Sequence, residues 1–313
     1  MAAGNPVRTT YPVRFLTDLD RWLRDAEEVL LEPGQAMDLP VSAALVPMSA
    51  SRSGWNVAVQ VALDLDSLLL LPTGGSRTGG WEVGAMLTRG DGARNWEMLG
   101  VSRLKLDQQG VSGQAVLHQQ VFSGLKPGEY RLAAFVRDRT ASVFGGGEAT
   151  IELPKPGKGG IVEPVMLRSA REHLRAPLPL WTKKKVEEVR VAEIQRGPVP
   201  LDDAESVNRE SLAALTMICP KGKPPEPVDV LRYVSRNDSP LFRFGTPKLV
   251  PAGSCFRVVD EIETWRLDRG RYVYNLRIRG GDPSADTVSS EFQVERPGSD
   301  PQTAELGASA PPG

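Results

Sequence analysis

The strongest constraint on the fold is a short stretch that occurs twice in the chain. Residues 125–132 read Leu-Lys-Pro-Gly-Glu-Tyr-Arg-Leu, and residues 267–274 read Leu-Asp-Arg-Gly-Arg-Tyr-Val-Tyr. Both fit the pattern Leu-x-x-Gly-x-Tyr, and in both the apolar side chains then recur at every second position, as in a strand. The two copies lie roughly one domain length apart. The repeat therefore predicts two similar β domains in tandem.

A tyrosine at this place is typical of a β-sandwich. Gly128 and Gly270 provide a turn conformation that a residue with a Cβ would resist. Tyr130 and Tyr272 then begin a strand, and each hydroxyl is expected to return to upstream main chain, the arrangement called a tyrosine corner. We predict that these four residues are structural.

The spacing of short apolar runs between glycine- and proline-rich turns favours an all-β protein of two tandem immunoglobulin-like or fibronectin type III-like sandwiches. The first sandwich is predicted over residues 36–155 and the second over 186–296, with a connector over 156–185. A lead-in with a short N-terminal helix is predicted over 1–35, and a disordered tail over 297–313.

For two strands, the sequence also predicts the burial or the length. From Trp55 to Leu63, apolar residues occupy every second position, which predicts a strand with one buried and one exposed face. An apolar run over 241–250 predicts a single strand in the second sandwich.

Charge and hydropathy exclude some classes of partner. The chain has 38 basic and 39 acidic side chains and a formal net charge of -1, so nothing in its balance indicates nucleic acid or an acidic membrane surface. No stretch approaches the roughly 20 apolar residues that span a bilayer. The N-terminus lacks the charged start and apolar core of a secretory signal, which on its face indicates a cytoplasmic protein.

The two cysteines leave two alternatives open. Cys219 ends one apolar run and Cys255 begins another, so the pair suits a disulfide between strands in an oxidising compartment. It suits equally two buried, reduced thiols that act as small apolar side chains.

No constellation for catalysis, cofactor binding or metal binding emerges. His118 falls in a predicted strand and His173 in the connector, and neither is accompanied by a nucleophile motif. The string Asp64-Leu65-Asp66-Ser67 lacks the further acidic positions of a calcium loop, and the glycine-rich stretch 72–80 lacks the ending of a phosphate loop. We therefore predict a protein that is not an enzyme and has no cofactor.

The tryptophans have two interpretations. A platform of exposed aromatic rings would bind a sugar or a peptide, whereas core tryptophans would fill the two sandwiches. The candidates are Trp55, Trp81, Trp96, Trp181 and Trp265.

The stretches Asp-Leu-Pro-Val-Ser-Ala-Ala-Leu (38–45), Leu-Lys-Pro-Gly-Glu-Tyr-Arg-Leu-Ala-Ala-Phe-Val-Arg-Asp (125–138) and Ile-Glu-Leu-Pro (151–154), with the strand at 55–65, carry a family resemblance. They resemble the region downstream of the A domain in the von Willebrand factor A-related proteins found widely in acidobacteria. The resemblance covers most of 36–296 and implies export, a disulfide and an N-terminal portion that is missing here. The A domain with its metal-dependent adhesion loop is absent, so no metal ligand is carried over.

These observations predict a non-catalytic interaction or scaffold protein, extracytoplasmic and at the cell envelope, that binds another protein through sandwich loops or strand edges. The predicted binding loops are 72–80, 90–95 and 139–147. Their candidate contact residues are Arg77, Asp91, Arg94 and Arg139. The alternative function is a carbohydrate-binding module that uses exposed aromatic side chains.

Overall fold

The computed structural model describes residues 39–73, 76–90, 97–108, 114–178, 188–190, 194–201, 211–222, 225–279 and 287–294. Apart from three 3-10 turns (Leu65–Ser67, Pro227–Asp229 and Thr264–Arg266), every regular element among them is a β-strand, which confirms the all-β prediction. The predicted N-terminal helix and C-terminal tail lie outside these residues. No helix within them is long and apolar enough to cross a membrane.

The strands follow the chain in two groups. Strands up to residue 153 are β1 (Val41–Ser51), β2 (Gly54–Asp64), β3 (Leu71–Thr73), β4 (Ser76–Arg89), β5 (Glu97–Gln108), β6 (Ala115–Leu125), β7 (Gly128–Asp138) and β8 (Phe144–Leu153). The later strands are β9 (Ile161–Pro177), β10 (Glu188–Arg190), β11 (Ile194–Pro200), β12 (Ser211–Ile218), β13 (Val230–Arg236), β14 (Ser239–Arg243), β15 (Val250–Ala252), β16 (Cys255–Glu263), β17 (Gly270–Ile278) and β18 (Thr287–Val294).

The strands form three sheets with a repeated order. One sheet runs β1-β2-β6-β9-β12-β16-β15 with β11 beside β9, a second runs β10-β5-β4-β7-β8 with β3 beside β4, and a third runs β14-β13-β17-β18. In the first sandwich β1-β2-β6 faces β5-β4-β7-β8, and in the second β9-β12-β16 faces β14-β13-β17-β18. The two sandwiches thus repeat one strand order.

A single long strand, β9, belongs to both sandwiches. Its first part, 161–168, pairs antiparallel with β12 of the second sandwich. Its last part, 173–177, pairs parallel with β6 of the first sandwich. The segment predicted as a connector therefore contains a strand that makes one continuous sheet of the two.

The sheet shared by both sandwiches is buried on both faces near the junction. Trp55, Val57 and Val59 of β2 face the first core, but Ala58 and Ala62 on the other face are buried as well. The prediction of a half-exposed strand is wrong, because small side chains let the second sandwich pack there. The cluster on this outer face consists of Ala44, Val46, Ala58, Leu167, Ala213 and Leu215.

The two end strands of this sheet, β1 and β15, meet at one point. Ala50, in β1, forms a parallel bridge with Gly253, the residue after β15, and its carbonyl accepts the Ser254 N–H at 2.7 Å. Gly253 has a φ of +73°, and a Cβ there would lie 1.8 Å from the Ala50 carbonyl oxygen. Only glycine permits this approach.

The single strand predicted over 241–250 is also wrong. β14 ends at Arg243 and belongs to the four-stranded sheet, whereas β15 begins at Val250 and belongs to the shared sheet. The chain crosses between the two layers here, through a segment that contains Gly245 and Pro247. Both residue types punctuate a strand.

Candidate functional site

The two repeated tyrosines lie near the start of equivalent strands, β7 and β17, and each holds the turn that precedes its strand. The Tyr130 hydroxyl donates to the Lys126 carbonyl at 2.8 Å, and the Tyr272 hydroxyl donates to the Asp268 carbonyl at 2.6 Å. In each case the acceptor lies four residues upstream, which is the geometry of a tyrosine corner. These residues support loops and do not form a site.

Cys219 and Cys255 form a disulfide across 36 residues of sequence. Both are buried, and their side chains join the core of the first sandwich, although Cys219 directly follows β12 and Cys255 begins β16, two strands of the second. The Cys219 N–H donates to the Gly160 carbonyl at 2.9 Å. The disulfide therefore lies where the two sandwiches meet.

Two of the three predicted binding loops lie together. The Arg139 N–H donates to the Gly80 carbonyl at 2.9 Å, so the β3–β4 hairpin and the turn before β8 share one end of the first sandwich. The Gly90 N–H donates to the Glu129 carbonyl at the opposite end of β4, about 33 Å from Gly80 along the strand. Arg77 lies in β4 opposite Pro72, while Asp91 and Arg94 lie outside the described residues.

Part of the predicted loop 139–147 is strand. β8 begins at Phe144, so Gly145 and Gly147 lie within it. A Cβ on Gly147 would lie 2.5 Å from the Val41 carbonyl oxygen. This glycine therefore lets β1 approach β8 closely, and it does not mark a turn as its sequence context predicted.

The turn at this end of the first sandwich is fixed by a buried carboxylate. Asp138 accepts the Leu69 N–H through Oδ2 at 2.6 Å, and the Thr140 and Ala141 N–H groups through Oδ1 at 2.6 and 3.1 Å. Beside it, Leu69 and Leu71 are each 49% exposed. The result is a rigid end that presents two apolar side chains to solvent.

Charged side chains lie around the end of the first sandwich that Asp138 fixes. The Glu82 carboxylate is nearly buried and lies 3.8 Å from Arg139 and 3.9 Å from Arg137. The Arg137 guanidinium also lies over the Phe144 ring at 5.2 Å. Arg139 is thus the exposed member of a positively charged pair beside the two leucines. We call the set Leu69, Leu71 and Arg139 the first-sandwich end.

A cavity of about 450 Å³ lies in the second sandwich, where β14 stops short of the start of β13. Its lining includes the aromatic residues Tyr233 and Phe244 and three arginines. The complete lining is Pro227, Val230, Leu231, Arg232, Tyr233, Pro240, Arg243, Phe244, Gly245, Thr246 and Arg277.

One of the three arginines is fixed by a buried ion pair. Arg232, whose side chain is 3% exposed, pairs with Asp260 on the facing sheet and donates to the Gly245 carbonyl. Its guanidinium lies 5.7 Å from the centre of the Phe244 ring. The Tyr274 hydroxyl completes the network by donating to Asp260 at 2.6 Å.

Burial dominates the acid–base properties of this network. It raises the pKa of Asp260, although the Tyr274 hydroxyl and Arg232 partly offset the effect. Burial, with Asp260 close by, also raises the pKa of Tyr274, so this phenol stays protonated and continues to donate. In this network Arg232 and Tyr274 donate, the Asp260 carboxylate and the Gly245 carbonyl accept, and the result is that Arg232 is held in place.

The two histidines do not assemble a catalytic or metal site. His118 and His173 are buried, and His118 Nε2 accepts the Trp81 indole N–H at 3.1 Å in the first core. Among the described residues there is no group of three or more His, Cys, Asp or Glu that could hold a metal ion. Asp64 precedes a 3-10 turn, and Asp66 lies within it.

The tryptophans divide between core and surface. Trp55 and Trp81 are fully buried, whereas Trp265, in the 3-10 turn before β17, is 50% exposed. Trp96 and Trp181 lie outside the described residues. Within those residues, a single tryptophan is exposed, so no coplanar pair is seen.

The cavity and its arginines were missed by the sequence reasoning. Arg232, Arg243 and Arg277 are widely separated in sequence and come together only through the pairing of β13 with β14 and β17. One signal was present: Arg232 stands between Val230 and Val234, at a position that the strand period turns inward.

Comparisons with known proteins give no family. No family model matches the chain, and no curated protein sequence matches it. A solved structure of red sea bream transglutaminase is similar at 12% identity over 86% of this chain and 33% of its own length, with a TM-score of 0.23. The BSP domain of a biofilm-associated protein is similar at 8% identity over 89% of this chain and 55% of its own, with a TM-score of 0.22. At such scores neither carries an argument about function.

Proposed function

We propose that this protein is a non-catalytic interaction or scaffold module that binds another protein through the first-sandwich end. The observation that supports the proposal is the pair of half-exposed leucines, Leu69 and Leu71, beside Arg139 on a turn pinned by Asp138. A rigid frame that presents apolar side chains with a charged rim is typical of a protein-binding surface. We further propose that the chain is related to the region downstream of the A domain in von Willebrand factor A-related proteins.

The proposed location is extracytoplasmic, at the cell envelope. Its support is the Cys219–Cys255 disulfide, since such bonds persist in oxidising compartments. Thiol counting on the unfolded, unreduced protein from its host tests this proposal. We expect no free thiol, and two free thiols would overturn the envelope location.

The binding surface is tested by quantitative capture from the host envelope fraction on the immobilised full chain. The test variant replaces Leu69 and Leu71 by serine. The matched control is Val121→Ser, which alters an apolar residue of the same exposure, 48%, on β6. We expect a protein that binds wild type and the control but is lost with the double variant. If every captured protein binds all three equally, the first-sandwich end is not the binding surface.

A second candidate, carbohydrate binding, is favoured by one observation. Trp265 is exposed on a turn, and an exposed ring can stack on a sugar. The test is Trp fluorescence titration with envelope polysaccharides, on wild type and on Trp265→Ala. A saturable signal that disappears in the variant would support this function, and no change on titration would remove it.

A further inference from the structure

We infer that the arginine-lined cavity of the second sandwich binds the carboxylates of an extended acidic peptide segment. The inference goes beyond the proposed function, because it concerns a different site and names the chemistry of its ligand. It rests on the charges of the lining, the placement of the arginines, and the strand edge beside the cavity.

The lining of the cavity carries positive charges that no acidic side chain of the lining balances. It contains Arg232, Arg243 and Arg277 but no acidic side chain. Arg232 is neutralised from behind by Asp260, whereas Arg243 and Arg277 are exposed and make no ion pair within the described residues. Guanidinium groups recognise carboxylates through paired, charge-assisted hydrogen bonds. Two uncompensated positive charges are therefore available to a ligand.

The strand register places these two arginines on one face. Arg243 stands opposite Tyr233 on β14, and Arg277 stands opposite Leu231 on β17. Residues two apart on β13 share a face, and so do their cross-strand partners. The two arginines thus flank β13 diagonally. Carboxylates at alternate positions of an extended peptide lie about 7 Å apart on one face, which is within reach of both flexible side chains.

The third arginine stiffens the inner wall. Arg232 is held by Asp260 and the Gly245 carbonyl, and its Nε has no hydrogen-bond partner although it is buried. Because the guanidinium is fixed before binding, little conformational freedom is lost when a ligand arrives.

The surroundings favour a peptide over an isolated anion. Tyr233, Phe244 and two prolines give the cavity an apolar surface on which side chains between the acids can pack. β14 is the end strand of its sheet, and Leu241 and Phe242 on it are exposed. An extended segment can lie along such an edge.

The test is fluorescence anisotropy of the full chain with a labelled peptide of alternating glutamate and valine. The matched peptide has glutamine in place of glutamate. The binding variants are Arg243→Gln, Arg277→Gln and their combination. The control variant, Arg271→Gln, removes another exposed arginine of β17, whose partner is Glu291. Thermal melts verify that all four variants remain folded.

We expect the glutamate peptide to bind, more tightly at low ionic strength, and the glutamine peptide not to bind. Each single variant should weaken binding by about tenfold, the double variant should abolish it, and Arg271→Gln should leave it unchanged. Equal binding of both peptides, no binding of either, or equal loss with Arg271→Gln would overturn the inference. Preference for a phosphoserine version of the peptide would overturn the assignment of the ligand group as a carboxylate. Preference for polygalacturonate at the same arginines would overturn the assignment of the ligand as a peptide. The Leu69 and Leu71 variants test the first-sandwich proposal independently, because they leave this cavity intact.

Discussion

The two sandwiches share a strand order and a tyrosine corner but fill their centres differently. In the first, the polar contact at the centre is a neutral one, from the Trp81 indole N–H to His118, among aliphatic side chains. In the second, the centre holds an ion pair between Arg232 and Asp260, with Tyr274 donating to the carboxylate. The ion pairs of the first sandwich lie toward its surface, as between Arg131 and Glu148 or between Arg139 and Glu82, where at least one partner is exposed.

This difference shows that the fold does not dictate the chemistry of its core. A neutral hydrogen bond in a core can be replaced at modest cost, whereas a buried charge becomes expensive as soon as its partner is removed. The second sandwich therefore depends on a few specific residues, and the same residues fix the wall of the cavity. Its stability and its proposed binding site are linked.

Removal of one charge from the second core should have the largest effect. Arg232→Leu leaves Asp260 buried without its cation and should lower the free energy of unfolding by about 3–5 kcal/mol. His118→Leu, which leaves one indole N–H unpaired in the first core, should lower it by about 1–3 kcal/mol. Urea denaturation measures both. The contrast between the cores would fail if Arg232→Leu were no more harmful than His118→Leu, or if Asp260→Leu in the Arg232→Leu background recovered no stability.

Loss of the disulfide tests whether the two cores are separate. Replacing Cys219 and Cys255 by alanine should cost about 2–4 kcal/mol, because the unfolded chain gains freedom. Since both side chains lie in the first core, we expect both sandwiches to be destabilised together. In a background in which phenylalanine replaces all the other tryptophans, the fluorescence of Trp55 and Trp81 reports on the first sandwich, and circular dichroism reports on the whole. Transitions that separate in the variant would show independent cores.

The contact between β1 and the end of β15 gives a sharper test of the junction. Gly253→Ala places a Cβ against the Ala50 carbonyl oxygen, whereas Gly157→Ala, at a similar φ of +75°, places one in open space. Both variants incur backbone strain, so their difference measures the close approach. We expect Gly253→Ala to be less stable by about 1–3 kcal/mol in urea denaturation. Equal stabilities would mean that the junction tolerates a Cβ.

The two tyrosine corners should contribute equally to the free energy of unfolding. Tyr130→Phe and Tyr272→Phe each remove one hydrogen bond to main chain and should each cost about 0.5–1.5 kcal/mol. Tyr233→Phe is the control, because its hydroxyl makes no hydrogen bond with any described residue. Unequal costs in thermal or urea unfolding would show that the repeat conserves the sequence pattern but not its energetic role.

The surface ion pair of the first sandwich should have the smallest effect. A hydrogen bond from Arg131 lowers the pKa of Glu148. Its contribution is therefore present above the unfolded carboxyl pKa of about 4.3 and is lost as pH falls through the lower folded value. Glu148→Gln should cost about 0.2–1 kcal/mol at neutral pH, and the difference from wild type should vanish in acid. A difference that grows in acid would contradict this sign.

The sequence contained the architecture in its local patterns. The Leu-x-x-Gly-x-Tyr repeat and the alternating runs are local, and they predicted the all-β fold. The burial of both faces of β2 was not predictable, because Ala58 and Ala62 read as weakly apolar positions until a second layer covers them. The cavity was equally hidden, since Arg243 and Arg277 become neighbours of β13 only through strand pairing.

The 17-residue strand β9 has a consequence for how the protein can be divided. A protease or a gene rearrangement that cut the chain within 161–177 would leave one fragment without the first strand of its sandwich and the other without the neighbour of β6. Each fragment would expose an unpaired sheet edge, which can pair with strands of other chains. The two sandwiches are therefore expected to be inherited, and degraded, as one unit.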